Sequence, residues 1–127
     1  MSTFKRKERL KGLKLIRSLF EGGHCYTVSS FRVYWETVTS GKPAKFGVSV
    51  PKKHFPRAVD RNRLKRVIRE AYRKHKDDFY LVLAGKKIRV AMMVVYTGQK
   101  ACTYPETEPK IKLLLQRYEE EYEKSCR

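Results

Sequence analysis

One helical period runs almost unbroken from Asp60 to Leu83. Leu64, Val67, Ile68, Ala71, Tyr72, His75, Phe79 and Val82 recur along one face of it. A helix of that length spans about 36 Å, and its apolar stripe must lie against another layer to leave water. Ala84-Gly85 is the predicted stop. In a chain of 127 residues there is room for one ordinary core beside such a helix. The chain is therefore read as a single domain over residues 1–127, with flexible tails at 1–8 and 123–127.

The other face of the same helix carries charge of one sign. Asn62, Lys65, Arg66, Arg69, Arg73 and Lys76 lie opposite the apolar stripe, with Arg61 and Arg63 at its flanks. From Arg57 to Lys76 there are nine Lys/Arg against only Asp60 and Glu70. A solvated helix face ordinarily mixes signs in i,i+4 pairs, and this one does not. Arginine predominates, and a planar guanidinium can give two parallel hydrogen bonds to a phosphate. Asn62 can both donate and accept among these cations. Asp60 is the expected N-cap. The whole chain has 30 Lys plus Arg against 13 Asp plus Glu, a net charge of +17. Such an excess repels itself in the compact state unless a polyanion neutralises it. Nucleic acid is the leading partner, because neutralised phosphates release their counterions. A basic stripe alone does not separate RNA from DNA.

The remaining segments supply the layer that the helix needs. Residues 9–23 read as a short helix, with Leu10, Leu13, Ile16 and Phe20 at helical spacing and Gly22-Gly23 as its stop. Residues 29–38 alternate, with Phe31, Val33 and Trp35 on one face and Arg32, Tyr34 and Glu36 on the other. KFGVSV at 45–50 alternates again after the turn-like TSGKPA, so the pair reads as a hairpin. IRVAMMVVY at 88–96 is apolar on both faces, which suits a central strand. Pro105 and Glu106 open a last helix whose inner side is Ile111, Leu114, Leu115, Tyr118 and Tyr122. The order α-β-β-α-β-α describes an α/β (α+β) two-layer sandwich with one central sheet.

Several function classes fit poorly. The longest apolar runs fall far short of the roughly 20 residues that span a bilayer, and the charged MSTFKRKERLKG start does not resemble a secretion signal. Cys25, Cys102 and Cys126 form neither a disulfide framework nor a zinc-type pair. A cytoplasmic setting is expected. His24, His54 and His75 are scattered, Asp77-Asp78 is isolated, and no acid/base pair or carboxylate cluster for metal-assisted hydrolysis is apparent. No catalytic residue, metal ligand or protein-bound cofactor is therefore expected.

The helix motif itself is recognisable. Arg61-Asn62-Arg63 with Lys65-Arg66 and Ile68-Arg69-Glu70-Ala71 follows a strand ending Ser49-Val50-Pro51-Lys52-Lys53. This arrangement resembles the signature of the bacterial ribonuclease P protein component. Arg9-Leu10, Phe20 before its glycine turn, Phe31, Tyr34 and Thr103-Tyr104 are similar to the family as well, so that the resemblance spans about residues 9–118. Ile16 stands where the family commonly has an aromatic, Pro51 replaces a small polar residue, and the 77–87 segment is longer.

What this resemblance implies is a fold with a left-handed βαβ crossover, against the usual right-handed rule. It also implies a subunit of a tRNA-processing endoribonuclease. The protein binds a large catalytic RNA and the 5′ leader of precursor tRNA, while the RNA and its Mg²⁺ carry out the hydrolysis. The expected contacts with the catalytic RNA are Lys52, Lys53, Arg57, Arg61, Asn62, Arg63, Lys65, Arg66, Arg69 and Arg73. The leader is expected in a cleft between the first helix and the sheet, at Phe20, Phe31, Arg32 and Tyr34. Tyr34 has polar neighbours on its face and is the best candidate for stacking on a base. Phe20 and Phe31 could equally belong to the core, since Phe31 shares a face with Val33 and Trp35. The rival readings are a ribosomal or other rRNA-binding protein, a DNA-binding module and an independent ribonuclease. A DNA-reading helix would mix base-reading residues among its phosphate contacts, and this stripe is nearly pure Arg/Lys.

Overall fold

The computed structural model describes residues 13–39 and 43–126. Its elements are α1 (Leu13–Gly22), β1 (His24–Val28), β2 (Phe31–Val38), β3 (Ala44–Ser49), α2 (Ala58–Lys86), β4 (Arg89–Tyr96) and α3 (Tyr104–Ser125). Three helices and a four-stranded mixed sheet make the expected α+β sandwich. Arg9, Leu10 and the expected tail at 1–8 lie outside the described residues. At the other end, residues 123–125 are not a tail. They continue α3, where Lys86 Nζ lies 3.0 Å from Glu123 Oε1.

The strand order β1-β2-β4-β3 corrects the expected hairpin. β2 pairs antiparallel with β1 through the Ser29-Ser30 turn, where Ser29 has a left-handed φ of 53°. β2 and β3 are not neighbours. β4 lies between them, antiparallel to β2 (Trp35 opposite Met92) and parallel to β3 (Phe46 opposite Met92). β4 is apolar on both faces, so its burial is greatest with a strand on each side and helices above and below. β1 was not expected as a strand, because HCYTV is short and follows directly on the Gly22-Gly23 stop.

The sheet's inner face carries Tyr26, Val28, Phe31, Val33, Trp35, Phe46, Val48, Val90, Met92 and Val94, all buried against α2 and α3. Tyr72 of α2 stacks on Phe46 with ring centroids 3.8 Å apart, and Tyr118 of α3 meets Trp35 edge-on at 4.9 Å. α3 starts with a capping box, in which the Thr103 N–H donates to Glu106 Oε1 at 3.4 Å, and the Thr103 hydroxyl adds a bond to the same oxygen at 2.8 Å. Tyr26 OH donates to the Leu114 carbonyl at 2.9 Å and ties β1 to that helix.

α2 is longer at both ends than its sequence suggests. It begins at Ala58 with Arg57 as an extended N-cap, so Asp60 lies in the first turn rather than capping it. There its charge still favours the helix dipole. The helix also runs through Ala84-Gly85. It ends where Lys87 turns left-handed (φ 58°), with Lys87 N–H on Ala84 O and Ile88 N–H on Leu83 O. That pair of bonds satisfies the last carbonyls of the helix, with Lys87 at the left-handed position that a glycine usually takes. Lys76 is 4% exposed, not part of the basic face. Its aliphatic stem suits a half-apolar position, with Nζ 5.6 Å from the centre of the Tyr80 ring.

Candidate RNA-binding surfaces

The expected basic residues divide by position. The loop after β3 leaves Lys52, Lys53 and Arg57 exposed, and the first turns of α2 expose Asn62, Arg63 and Arg66, with Lys65 half-buried. Arg63, Lys65 and Arg66 enter no ion pair among the described residues. Arg61 behaves differently, since its Nη1 donates to the carbonyls of Phe55 (2.9 Å) and Pro56 (2.8 Å). Arg69 is half-buried. Arg73 lies about 18 Å further along the axis than Arg61, and it binds Glu70 through Nη2 at 2.6 Å and Nε at 3.1 Å. That hydrogen-bonded pair lowers the Glu70 pKa and raises that of Arg73. The strongly positive region is thus the N-terminal end of α2 with its preceding loop.

The sheet's outer face is covered only in part. α1 sets Leu19 against Ala91 and Met93, with Leu15, Ile16, Tyr34, Val38 and Val95 partly buried around them. Beside this small core, Phe20 is 45% exposed and its ring lies 4.7 Å from that of Tyr34, tilted by 58°. Arg32 is exposed on the same face, and its hydrogen bond with Tyr34 raises the guanidinium pKa. Phe20, Arg32 and Tyr34 therefore come together, as a cleft between helix and sheet requires.

Phe31 does not join them. It is 1% exposed on the inner face, its ring 5.4 Å from Tyr96, so it belongs to the core and cannot offer a face to a base. The alternation with Val33 and Trp35 was the signal that placed it there. Two further groups on the outer face were not singled out by sequence. Cys25, directly across from Tyr34, is exposed; burial pushes its thiol pKa up while Arg32 pulls it down. Glu36 accepts from Ser18 Oγ at 3.2 Å, pinning α1 to β2. Ile16 packs into the small core beneath α1 rather than standing free.

Other polar groups are structural in their surroundings. His75 Nε2 lies 3.1 Å from Glu108 Oε1, joining α2 to α3. Among the described residues no three His, Cys, Asp or Glu gather to hold a metal ion, and no helix is long and apolar enough to cross a membrane.

Known proteins share the sequence pattern and the fold. A family model described as Ribonuclease P matches residues 4–119. The ribonuclease P protein component of Porphyromonas gingivalis is 39% identical over 94 residues, covering 71% of this chain and 69% of that protein. Its counterpart from Nitrosococcus oceani is 34% identical over 87 residues, covering 68% and 69%. Among solved structures, the Staphylococcus aureus RNase P protein superposes with a TM-score of 0.70 at 25% identity, covering 87% of this chain and 94% of that one. The Thermotoga maritima RNase P protein superposes with a TM-score of 0.69 at 23% identity, covering 87% and 96%.

Proposed function

The chain belongs to the ribonuclease P protein family, and on that premise we propose how its two surfaces divide the work of tRNA 5′ maturation. The N-terminal end of α2, with Lys52, Lys53, Arg57, Asn62, Arg63, Lys65 and Arg66, binds the catalytic RNA, with Arg61, Arg69 and Arg73 extending it. Each phosphate met there releases counterions, and the +17 charge offsets repulsion between RNA segments. The cleft on the outer sheet face binds the 5′ leader of precursor tRNA. Its bases stack on Tyr34 and Phe20, a contact tolerant of sequence, while Arg32 offers a cation to the leader backbone.

The observation that carries this reading is the pairing of exposed Phe20 with half-buried Tyr34 beside exposed Arg32, on the sheet face away from the main core. A purely structural rRNA-binding protein needs the basic stripe but has no use for that pair. Hydrolysis is assigned to the RNA subunit and the Mg²⁺ it holds, with the protein contributing affinity and placement. A cytoplasmic location follows from that partnership.

The test is precursor-tRNA cleavage by a bacterial ribonuclease P RNA at low Mg²⁺, with and without the purified protein. The protein is expected to be inactive alone and to lower the Mg²⁺ that the RNA requires. Cleavage by RNA-free protein that disappears on mutating His54 or Asp78 would show instead an independent ribonuclease.

A further inference from the structure

The loop that presents Lys52 and Lys53 is built around two carbonyls and one guanidinium. The Phe55 amide donates to the Pro51 carbonyl at 3.3 Å, closing a single turn whose outer side is Lys52-Lys53. The Phe55 ring is buried, 6.0 Å from the Tyr96 ring, so the turn is anchored on the core. After it the chain must swing into α2, and Arg57 there gives no side-chain cap. Arg61, one turn into the helix, reaches back with Nη1 to the Phe55 carbonyl at 2.9 Å and the Pro56 carbonyl at 2.8 Å. Its neighbours Asn62 and Arg63 are exposed, whereas Arg61 is half-buried.

We propose that Arg61 is a positioning residue of the RNA-binding end, holding the Pro51–Arg57 loop so that Lys52 and Lys53 meet phosphates. The proposal rests on the reading of that end as RNA-binding. With Nη1 already hydrogen-bonded to both carbonyls, an end-on fork of Nη1 and Nη2 toward a phosphate is not open to Arg61. Exposed Arg63 and Arg66 retain theirs. A loop ordered in the free protein also has less conformational freedom to lose when RNA binds. In this arrangement a cation of the basic motif acts through two other cations rather than by an end-on phosphate contact of its own.

The test measures binding of the full chain to a bacterial ribonuclease P RNA across a salt series. The variants are Arg61→Ala, the double Lys52→Ala/Lys53→Ala, and the triple. Hydrogen exchange at the Phe55 amide is followed in each. One lost phosphate contact flattens the slope of log affinity against log salt by roughly 0.7–0.9. Arg61→Ala is expected to flatten it by more than one such step and to speed Phe55 exchange. In the lysine-free background it should cost no more than about twofold further, within ordinary additivity error. Full additivity in the triple variant, with Phe55 exchange unchanged, would make Arg61 a direct contact and overturn the proposal. Unchanged affinity of the lysine double variant would remove the loop from the RNA interface, overturning the proposal while leaving leader processing untouched. Should Arg61→Ala fail to fold, Arg61→Lys carries the same test. It keeps the charge, so a direct contact predicts an unchanged salt slope, whereas loss of the two-carbonyl tie predicts a flatter one.

Discussion

Phe20 and half-buried Tyr34 meet on the outer sheet face with ring centroids 4.7 Å apart, while Phe31, three residues before Tyr34, is buried on the opposite side of the sheet. The odd separation along a pleated strand sends the two side chains to opposite faces. One ring is therefore available to a ligand and the other supports the fold.

Tyr34→Ala is expected to weaken holoenzyme binding of precursor tRNA by about 1–3 kcal/mol, the range for one stacked base. Mature tRNA, which has no leader, should bind almost as before. Equal losses for both ligands would move Tyr34 from the leader cleft to the fold or the RNA interface. Phe31→Ala should instead destabilise the protein by about 3–5 kcal/mol, as core phenylalanines do, seen as a lowered thermal midpoint.

The double variant Arg63→Ala/Arg66→Ala removes two exposed guanidiniums that enter no ion pair among the described residues. Affinity for ribonuclease P RNA should fall, and the salt slope should flatten by roughly 1.4–1.8, two contacts' worth. The thermal midpoint should stay within about a degree or two, since surface changes are usually worth under ~0.5 kcal/mol. A large drop in the midpoint with unchanged RNA affinity would contradict the assignment.

Gly23 joins α1 to β1 where two backbones approach closely. A Cβ there would lie 2.7 Å from the Leu19 carbonyl oxygen and 3.1 Å from that of Trp35. Neither obstacle is a side chain that can turn away. Gly23→Ala should cost about 1–3 kcal/mol, the usual range for overpacking, and should shift α1 over the cleft. A chemical denaturation midpoint equal to wild type would show that the backbone yields freely.

Lys87 ends α2 in the left-handed region, φ 58° and ψ 40°, which a side chain occupies at a cost of about 1–2 kcal/mol. Lys87→Gly relieves that cost and gives back part of it through the unfolded chain's greater freedom. A net gain of about 0.5–1 kcal/mol is expected in a denaturant titration. Lys87→Ala, which keeps a Cβ, should show no comparable gain.

Much of the fold was legible because local periodicity records which residues must face the same way. The apolar stripe from Leu64 to Leu83 marked α2, the two-sided apolar run at 88–96 marked the central β4, and alternation at 31–38 separated Phe31 from Tyr34. The arginine-rich helix motif, joined to Ser49-Val50 and Lys52-Lys53, pointed to the family. Periodicity could not choose strand partners. β3 follows β2 in sequence, yet it pairs with β4, because a strand apolar on both faces gains most from neighbours on either side.

The same limit applied within the site. Arg61, Arg63 and Arg73 look alike in a helical projection, but a projection contains no loop carbonyls and weighs no specific pairing. Tertiary folding brought the Phe55 and Pro56 carbonyls to Arg61 and buried the Lys76 stem, whereas the Glu70–Arg73 pair is local, three residues apart on one helix. Sequence by itself determined every element but β1, the sign of the charge and most strand and helix faces, since these follow from residue type and spacing. Only the tertiary structure decided which cations remain exposed to RNA, because each guanidinium binds whatever acceptor the folded chain brings within hydrogen-bonding distance.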